Sequence, residues 1–364
     1  MSNQAYQQWK TKMRSAAKAK RLPVEGQYEL TPACNLDCKM CYVHNADSNR
    51  LQSLALSTEQ WKRIFDEAYD CGLMFATLTG GECLMRKDFK ELYLHLWNKR
   101  VRITVLTNGT LIDEDYIAFF QKYRPEDIQI SLYGSSEEGY WNVTGHKSFH
   151  KADQAIRALK AAGLPLRVAV TPSSYIASDY INTIRYIKEQ GIQRVVSNLY
   201  LLPKRDNSED TKHYLSEEEI LRLSRERTSL FRELTPCSDL PEVGGPMSEA
   251  PAAGLTCSAG NILAYVTWDG KMHPCGAVLQ EGASLLEMSY AEAWEKTKAE
   301  ADAVAQAIEC DGCAYRKACP TCPAVRLTDL HSGHCNPRIC ELTRQQIADG
   351  SLRLGQRNEN YLEE

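Results

Sequence analysis

The stretch QYELTPACNLDCKMCY, Gln27 to Tyr42, decides how this chain is read. Gln27 to Thr31 predicts a β-strand, and three cysteines follow it at once in the spacing CxxxCxxC: Cys34, Cys38 and Cys41. A loop at the C-terminal end of a strand is where parallel α/β folds build their sites, because such loops converge on one point. Three thiolates can hold three irons of a cubane cluster and leave the fourth open to a substrate or cofactor. Tetrahedral zinc wants a fourth ligand that this stretch lacks. A thioredoxin-like CxxC leaves Cys34 without a part.

Outward from there, short β-rich runs alternate with helical stretches. Strands are expected near Phe75–Thr79, Arg102–Thr107, Asp127–Leu132, Leu166–Val170 and Arg194–Asn198. The clearest helix runs from Ser57 to Cys71, where Ser57 and Gln60 have capping-box spacing and Gly72 is a stop signal. Others begin near Lys87, Asp113, Ser148 and Ser178. Successive strands start roughly 25 to 50 residues apart, the rhythm of βα units around a parallel sheet. Such units fit a partial barrel or an open α/β sheet. After Leu202 the texture changes. Ser216 to Leu234 predicts an amphipathic helix with Ile220, Leu221, Leu223, Leu230 and Phe231 as its stripe, and a Pro- and Gly-rich linker follows it. TWDGKM (Thr267 to Met272) predicts a hairpin turning at Asp269-Gly270. The expected layout is an extension over 1–24, a barrel over 25–205, helix and linker over 206–245, a cysteine-dense domain over 246–345 and a tail over 346–364.

With 364 residues, 43% of them hydrophobic, the chain can bury a large core, which excludes a disordered or collagen-like protein. A net charge of -4 offers no basic footprint, so nucleic acid is not an expected partner. No run approaches the ~20 apolar residues that cross a bilayer, and the N-terminus lacks the apolar core of a secretory signal. A cytoplasmic protein with no membrane partner is expected. There the 14 cysteines would stay reduced, so metal ligation is a better reading than disulfides. They fall into two zones, with none between Cys83 and Cys237.

TPACNLDCKMCY (Thr31 to Tyr42) resembles the signature of the radical S-adenosylmethionine (radical SAM) enzymes. The resemblance implies that Cys34, Cys38 and Cys41 ligate a [4Fe-4S] cluster whose open iron is chelated by SAM. Reductive cleavage of SAM then yields a 5'-deoxyadenosyl radical that takes hydrogen from the substrate. TGGE (Thr79 to Glu82) resembles the family's GGE motif: Gly80 and Gly81 permit close backbone approach, and Glu82 offers a carboxylate to the SAM ammonium. TNG (Thr107 to Gly109) ends the third strand, and Ser131 stands where the family places a ribose-binding hydroxyl. Thr107, Asn108 and Ser131 are thus candidate SAM contacts, with ordinary strand-end hydrogen bonding as the alternative. Tyr42 occupies the place of an aromatic beside cluster and adenine, or is a packed core tyrosine. YWNVTGHKSF (Tyr140 to Phe149) resembles a stretch of peptide-modifying members, which makes its Tyr, Trp and His candidates to line a substrate pocket, with a helix-start loop as the alternative.

The second zone resembles the SPASM domain of such enzymes, so that the resemblance implies a partial (β/α)6 TIM-like barrel followed by a small cysteine-rich SPASM domain. The pattern departs from the family's at two points: Cys322 comes one residue early, and Cys335 and Cys340 both qualify as its last cysteine. Carried over by position, Cys257, Cys275 and Cys322 would hold one auxiliary [4Fe-4S] cluster, and Cys310, Cys313, Cys319 and Cys340 another. Cys237 and Cys335 compete for the first cluster's remaining ligand, which is otherwise open. Zinc bound by the CxxC pairs is the alternative. Cys71 and Cys83 match nothing and read as small buried apolar residues.

The resemblance implies an oxygen-sensitive enzyme served by a flavodoxin or ferredoxin reductant. Its substrate would be a ribosomally made peptide, taken directly or with a separate recognition protein, because the 33 residues before Cys34 leave no room for a built-in recognition domain. A small-molecule oxidase is the alternative. Sulfatase maturation is disfavoured, since Gly276 stands where those enzymes carry an aspartate base after the cysteine. A non-catalytic zinc or electron-transfer protein would leave GGE without a use.

Overall fold

A computed structural model of the protein describes residues 3–43, 51–197, 201, 212–234, 254–279, 281–305, 309, 313–315, 319, 322–324, 334–335 and 337–348. In chain order the elements are α1 Asn3–Lys20, β1 Glu25–Glu29, α2 Thr58–Asp70, β2 Phe75–Thr79, α3 Phe89–Asn98, β3 Arg102–Thr107, α4 Glu114–Lys122 and β4 Asp127–Ser131. There follow α5 Glu137–Thr144, α6 Phe149–Ala161, β5 Leu166–Ala169, α7 Tyr180–Glu189, β6 Val195–Val196 and α8 Glu217–Leu234. The described chain closes with β7 Leu263–Val266, β8 Lys271–His273, β9 Ala283–Ser284, α9 Tyr290–Ala303 and α10 Pro337–Ala348. The α/β expectation is met. β2 and β3 have the predicted bounds, whereas β1 begins two residues earlier than predicted and Leu30 to Ala33 continue it as an irregular edge.

The chain divides into two compact units, the first made of residues 1–34, 46–106 and 251–305. Here β1 lies parallel between β2 and β7, and β3 extends the sheet beyond β2. The predicted hairpin is present: Gly270, at φ +85°, donates its N–H to Thr267 O at 2.9 Å, and β8 returns antiparallel to β7. Side chains alternate across the sheet. Tyr28, Ala76, Leu78, Val105 and Val266 form an apolar face on which Trp61 and Phe65 of α2 pack, with the Tyr28 and Phe65 ring centroids 5.0 Å apart. The opposite face carries Gln27, Glu29, Thr77, Thr79 and Tyr265, and is polar. α2 starts where Ser57 and Gln60 cap each other, stops at Gly72 (φ +106°), and buries Trp61, Ile64, Phe65 and Ala68, one stripe at helical spacing. Burying side chains of that size contributes about 2 kcal/mol each.

α1 was not anticipated, although Tyr6, Trp9, Met13 and Ala17 recur at helical spacing and Ala17 is buried against Val24 and Ile262. α9 has its own capping box, Ser289 with Glu292, and its Tyr290 N–H donates to Glu67 Oε2 on α2 at 2.8 Å. On α9, burial and then the nearby Glu281 carboxylate push the Glu300 carboxyl up to about 7 from an ordinary 4.5. The folded state therefore prefers the protonated acid: its favourable share is complete below about pH 4.5 and lost as pH rises through about 7. Glu300→Gln is expected to raise stability at pH 8 by about 1 kcal/mol, allowing for screening at this half-exposed site, and to leave it unchanged at pH 4. Urea midpoints at the two pH values check this.

The second unit comprises residues 35–45, 107–250 and 306–364. β4, β5 and β6 run parallel. Asp127, buried at the start of β4, is gripped by both Arg194 guanidinium nitrogens at 2.9 and 3.0 Å and by Arg167 at 3.2 Å, so its charge is paired. α8 buries Ile220, Leu223 and Leu230, while Leu221 and Phe231 of the predicted stripe are only half-buried. α5 falls where the sequence reads as a loop. Ser136 caps it, but Gly139, Val143 and Thr144 are poor helix formers, which hides it from propensity. No described helix is long and apolar enough to cross a membrane.

Candidate functional site

Cys34, Gly80, Gly81, Glu82, Cys257 and Cys275 belong to the first unit. Beyond β1 the chain runs on beside the GGE segment: Leu30 N–H donates to Thr79 O, Gly81 N–H to Thr31 O and Glu82 N–H to Ala33 O, each at 2.8 Å. The two backbones approach so closely that a Cβ on Gly80 would sit 2.5 Å from Thr31 O, and one on Gly81 2.3 Å from Ala33 O. The glycines thus form a cradle immediately before Cys34 that any side chain would fill. Glu82 is fully buried and its Oε1 accepts the Leu84 N–H at 3.0 Å, capping the short turn Cys83–Met85. Arg86 fastens the same edge, donating to Leu30 O at 2.8 Å and Leu56 O at 2.9 Å while paired with Asp88.

Cys38, Cys41, Tyr42, Thr107, Asn108 and Ser131 belong to the second unit. Thr107 is buried and its Oγ1 accepts the Gly109 N–H at 3.0 Å, which sets the TNG turn with Gly109 at φ +78°. Asn108 donates to Asn35 Oδ1 at 2.8 Å and accepts from the Thr110 N–H at 2.9 Å and hydroxyl at 2.7 Å; Asn35 in turn donates to Thr110 Oγ1 at 2.8 Å. Ser131 is half-buried at the end of β4 and hydrogen-bonds the Tyr133 side chain. Burial, followed by the nearby charge of the Cys38 thiolate and then smaller contributions from Cys41 and Tyr42, holds the Tyr133 phenol protonated far above its ordinary value. Tyr133 is therefore a neighbour of both cysteines that sequence reasoning missed. Its position two residues after Ser131, on the same side of the strand, was the available signal.

Glu29 was also missed. It is fully buried on the polar face of the first unit's sheet, where Tyr265 Oη donates to its Oε1. A Cβ on Gly276 would come within 3.2 to 3.3 Å of the Tyr265 ring, so the space beside Cys275 is already taken by that phenol.

In the second cysteine zone, Cys257, Cys275, Cys313, Cys319, Cys322, Cys335 and Cys340 are half-buried; Cys237 and Cys310 lie outside the described residues. Burial raises the Cys340 thiol above its ordinary value, the Arg344 guanidinium works against this, and Cys319 and Cys313 lie within electrostatic reach of it. The Cys335 N–H donates to Glu309 Oε2 at 3.1 Å. Among the described residues, no three His, Cys, Asp or Glu side chains are drawn together as a ready metal site. Cys83 is buried as expected and donates to Leu106 O at 3.3 Å, whereas Cys71, the last residue capping α2, is only half-buried. The donor chemistry of three thiols closely spaced in the sequence, together with the glycine cradle ahead of Cys34, fits the iron-sulfur cluster and SAM that the sequence implies.

Residues 28–176 match the radical SAM superfamily. The AdoMet-dependent heme synthase of Methanosarcina barkeri is 25% identical over 317 residues, 82% of this chain and 90% of that protein. The antilisterial bacteriocin subtilosin biosynthesis protein AlbA of Bacillus subtilis is 31% identical over 153 residues, 41% of this chain but only 33% of AlbA. The fold is shared with Streptococcus suis SuiB, solved bound to the precursor peptide SuiA: TM-score 0.68 at 16% identity, covering 94% of this chain and 82% of that one.

Proposed function

We propose, for a chain that carries a radical SAM domain over residues 28–176, an enzyme that withdraws hydrogen from a peptide substrate. Cys34, Cys38 and Cys41 would hold a [4Fe-4S] cluster, which when bound supplies the electron for reductive SAM cleavage. The chain's own residues prepare the place. Gly80 and Gly81 keep the strand edge before Cys34 free of side chains, and Glu82 brings a buried carboxylate toward the SAM ammonium. Thr107 and Asn108 shape the TNG turn, Ser131 would offer a hydroxyl to the ribose, and Tyr42 would stand beside the cluster, with Tyr133 within electrostatic reach of Cys38 and Cys41. We further place auxiliary clusters on Cys257, Cys275 and Cys322 and on Cys310, Cys313, Cys319 and Cys340. The electrostatic reach of Cys313 and Cys319 on Cys340 supports the second set. A flavodoxin or ferredoxin would serve as reductant, in the cytoplasm, with or without a separate peptide-recognition protein.

The observation that carries the reading is the glycine seam against Thr31 and Ala33, which gives CxxxCxxC and GGE one structural purpose. The peptide substrate is supported by relatives such as AlbA and by SuiB. A small-molecule substrate is the second reading, because the heme synthase likeness runs through 90% of that protein whereas the AlbA likeness spans 33% of AlbA. Anaerobic reconstitution with iron and sulfide, followed by SAM and dithionite, should give 5'-deoxyadenosine and about twelve irons per chain. About four irons would remove the auxiliary clusters. Clusters without any 5'-deoxyadenosine would refute the enzyme.

A further inference from the structure

We infer that the C-terminal end of α5 is the seat on which the cysteine loop is built, making Asn142 to Gly145 positioning residues for Cys38. The last carbonyls of a helix have no partner within it. In α5, Trp141 O accepts the Gly145 N–H at 2.9 Å, while Val143 O and Thr144 O accept the N–H groups of Lys39 and Asp37, each at 3.0 Å. Those two amides flank Cys38, so its backbone is held on both sides. Cys41 N–H closes the turn on Cys38 O at 3.0 Å. Gly145, at φ +71°, turns the chain away so that both carbonyls stay open, and a Cβ there would lie 3.5 Å from Asp37 O. Asn142 braces the arrangement: its Nδ2 donates to Tyr175 O at 2.8 Å, and its Oδ1 accepts Lys39 Nζ at 3.3 Å. The Lys39 ammonium lies 4.8 Å over the Tyr175 ring. Asn35, held by Asn108 and Thr110, anchors the start of the loop.

Hydrogen bonds within the protein thus hold residues 35, 37, 39 and 41 in place. The consequence is a loop ordered before metal arrives, so that cluster assembly does not have to include loop folding. The YWNVTG stretch thereby acquires a role in shaping the thiol loop in place of one in lining a substrate pocket.

The iron-free, full-length protein is the material for the test. Amide exchange should show Asp37 and Lys39 protected. Lys39→Pro removes one of the two donors, and should speed exchange at Asp37 about tenfold and slow iron uptake during reconstitution by a similar factor. Lys39→Ala keeps the donor and should retain the protection. Gly145→Val alters the seat while leaving the loop's own sequence unchanged and should behave like Lys39→Pro, with exchange in β4 and α7 as in wild type reporting an intact fold. The EPR signal of reduced cluster in either defective variant should broaden. Unprotected Asp37 and Lys39 amides in the iron-free wild type would overturn the inference, as would wild-type iron uptake by both Lys39→Pro and Gly145→Val. The inference rests on the radical SAM reading for its iron arm alone. If wild type takes up no iron, that reading fails while the exchange result still decides the seat.

Discussion

Replacing Gly81 with alanine is expected to destabilise the protein by about 3 kcal/mol and to abolish 5'-deoxyadenosine formation. The added Cβ would stand 2.3 Å from Ala33 O and 2.6 Å from Pro32 O. Both obstacles are backbone atoms, so no rotamer change relieves them. The chain must either pull the edge beyond β1 away from GGE or lose the bonds from Gly81 N–H to Thr31 O and Glu82 N–H to Ala33 O. In either case Cys34, the next residue along, loses its bearing. Denaturant midpoints and chromatographic assay of 5'-deoxyadenosine measure the two effects. A variant with wild-type stability and turnover would mean that the close approach has no importance.

The second large effect concerns the thiols. Cys34, Cys38 and Cys41 changed together to alanine should remove about four of about twelve irons and lower 5'-deoxyadenosine production at least about a thousandfold. Cys340→Ala should instead leave the SAM-cleaving centre loaded while lowering total iron. Iron analysis and the same nucleoside assay distinguish the outcomes. Equal SAM cleavage by wild type and the triple variant would assign the chemistry to another centre.

Local chemistry explains which parts of this molecule were readable from sequence. The capping box at Ser57 and the Asp269-Gly270 turn are complete within a few residues, so their signals are self-contained. β2 and β3, FATLT and RITVLT, announce themselves through short runs rich in β-branched and apolar residues bounded by turn signals. α5 was hidden because it is held by what it seats, and its own residues are weak helix formers. Glu29 looked like an ordinary polar residue of a strand; only the fold brings Tyr265, from 236 residues later, to its carboxylate. Gly80 and Gly81 suggested a close backbone approach, but that its partners are Thr31 and Ala33 became visible only in three dimensions. Cys313, Cys319 and Cys340 were grouped by pattern alone, because cysteines have few other reasons to recur at such spacing.

The pairing of β1 with β7 also dictates a timetable for biosynthesis. Gln27 lies opposite Tyr265, so β1, once synthesised, waits for 238 more residues before its second edge is covered. α1 waits longer, since Arg21 pairs with Asp302 at 2.7 Å and its carbonyl accepts Trp294 Nε1 at 2.9 Å. At about 5 to 20 residues per second on the ribosome, that edge is open for more than about ten seconds. An unpaired strand edge invites pairing with other chains, and closure over such a sequence separation is slow. The nascent protein is consequently most prone to aggregate in the interval before β7 emerges, and its yield in a cell should depend on chaperones that shield it then.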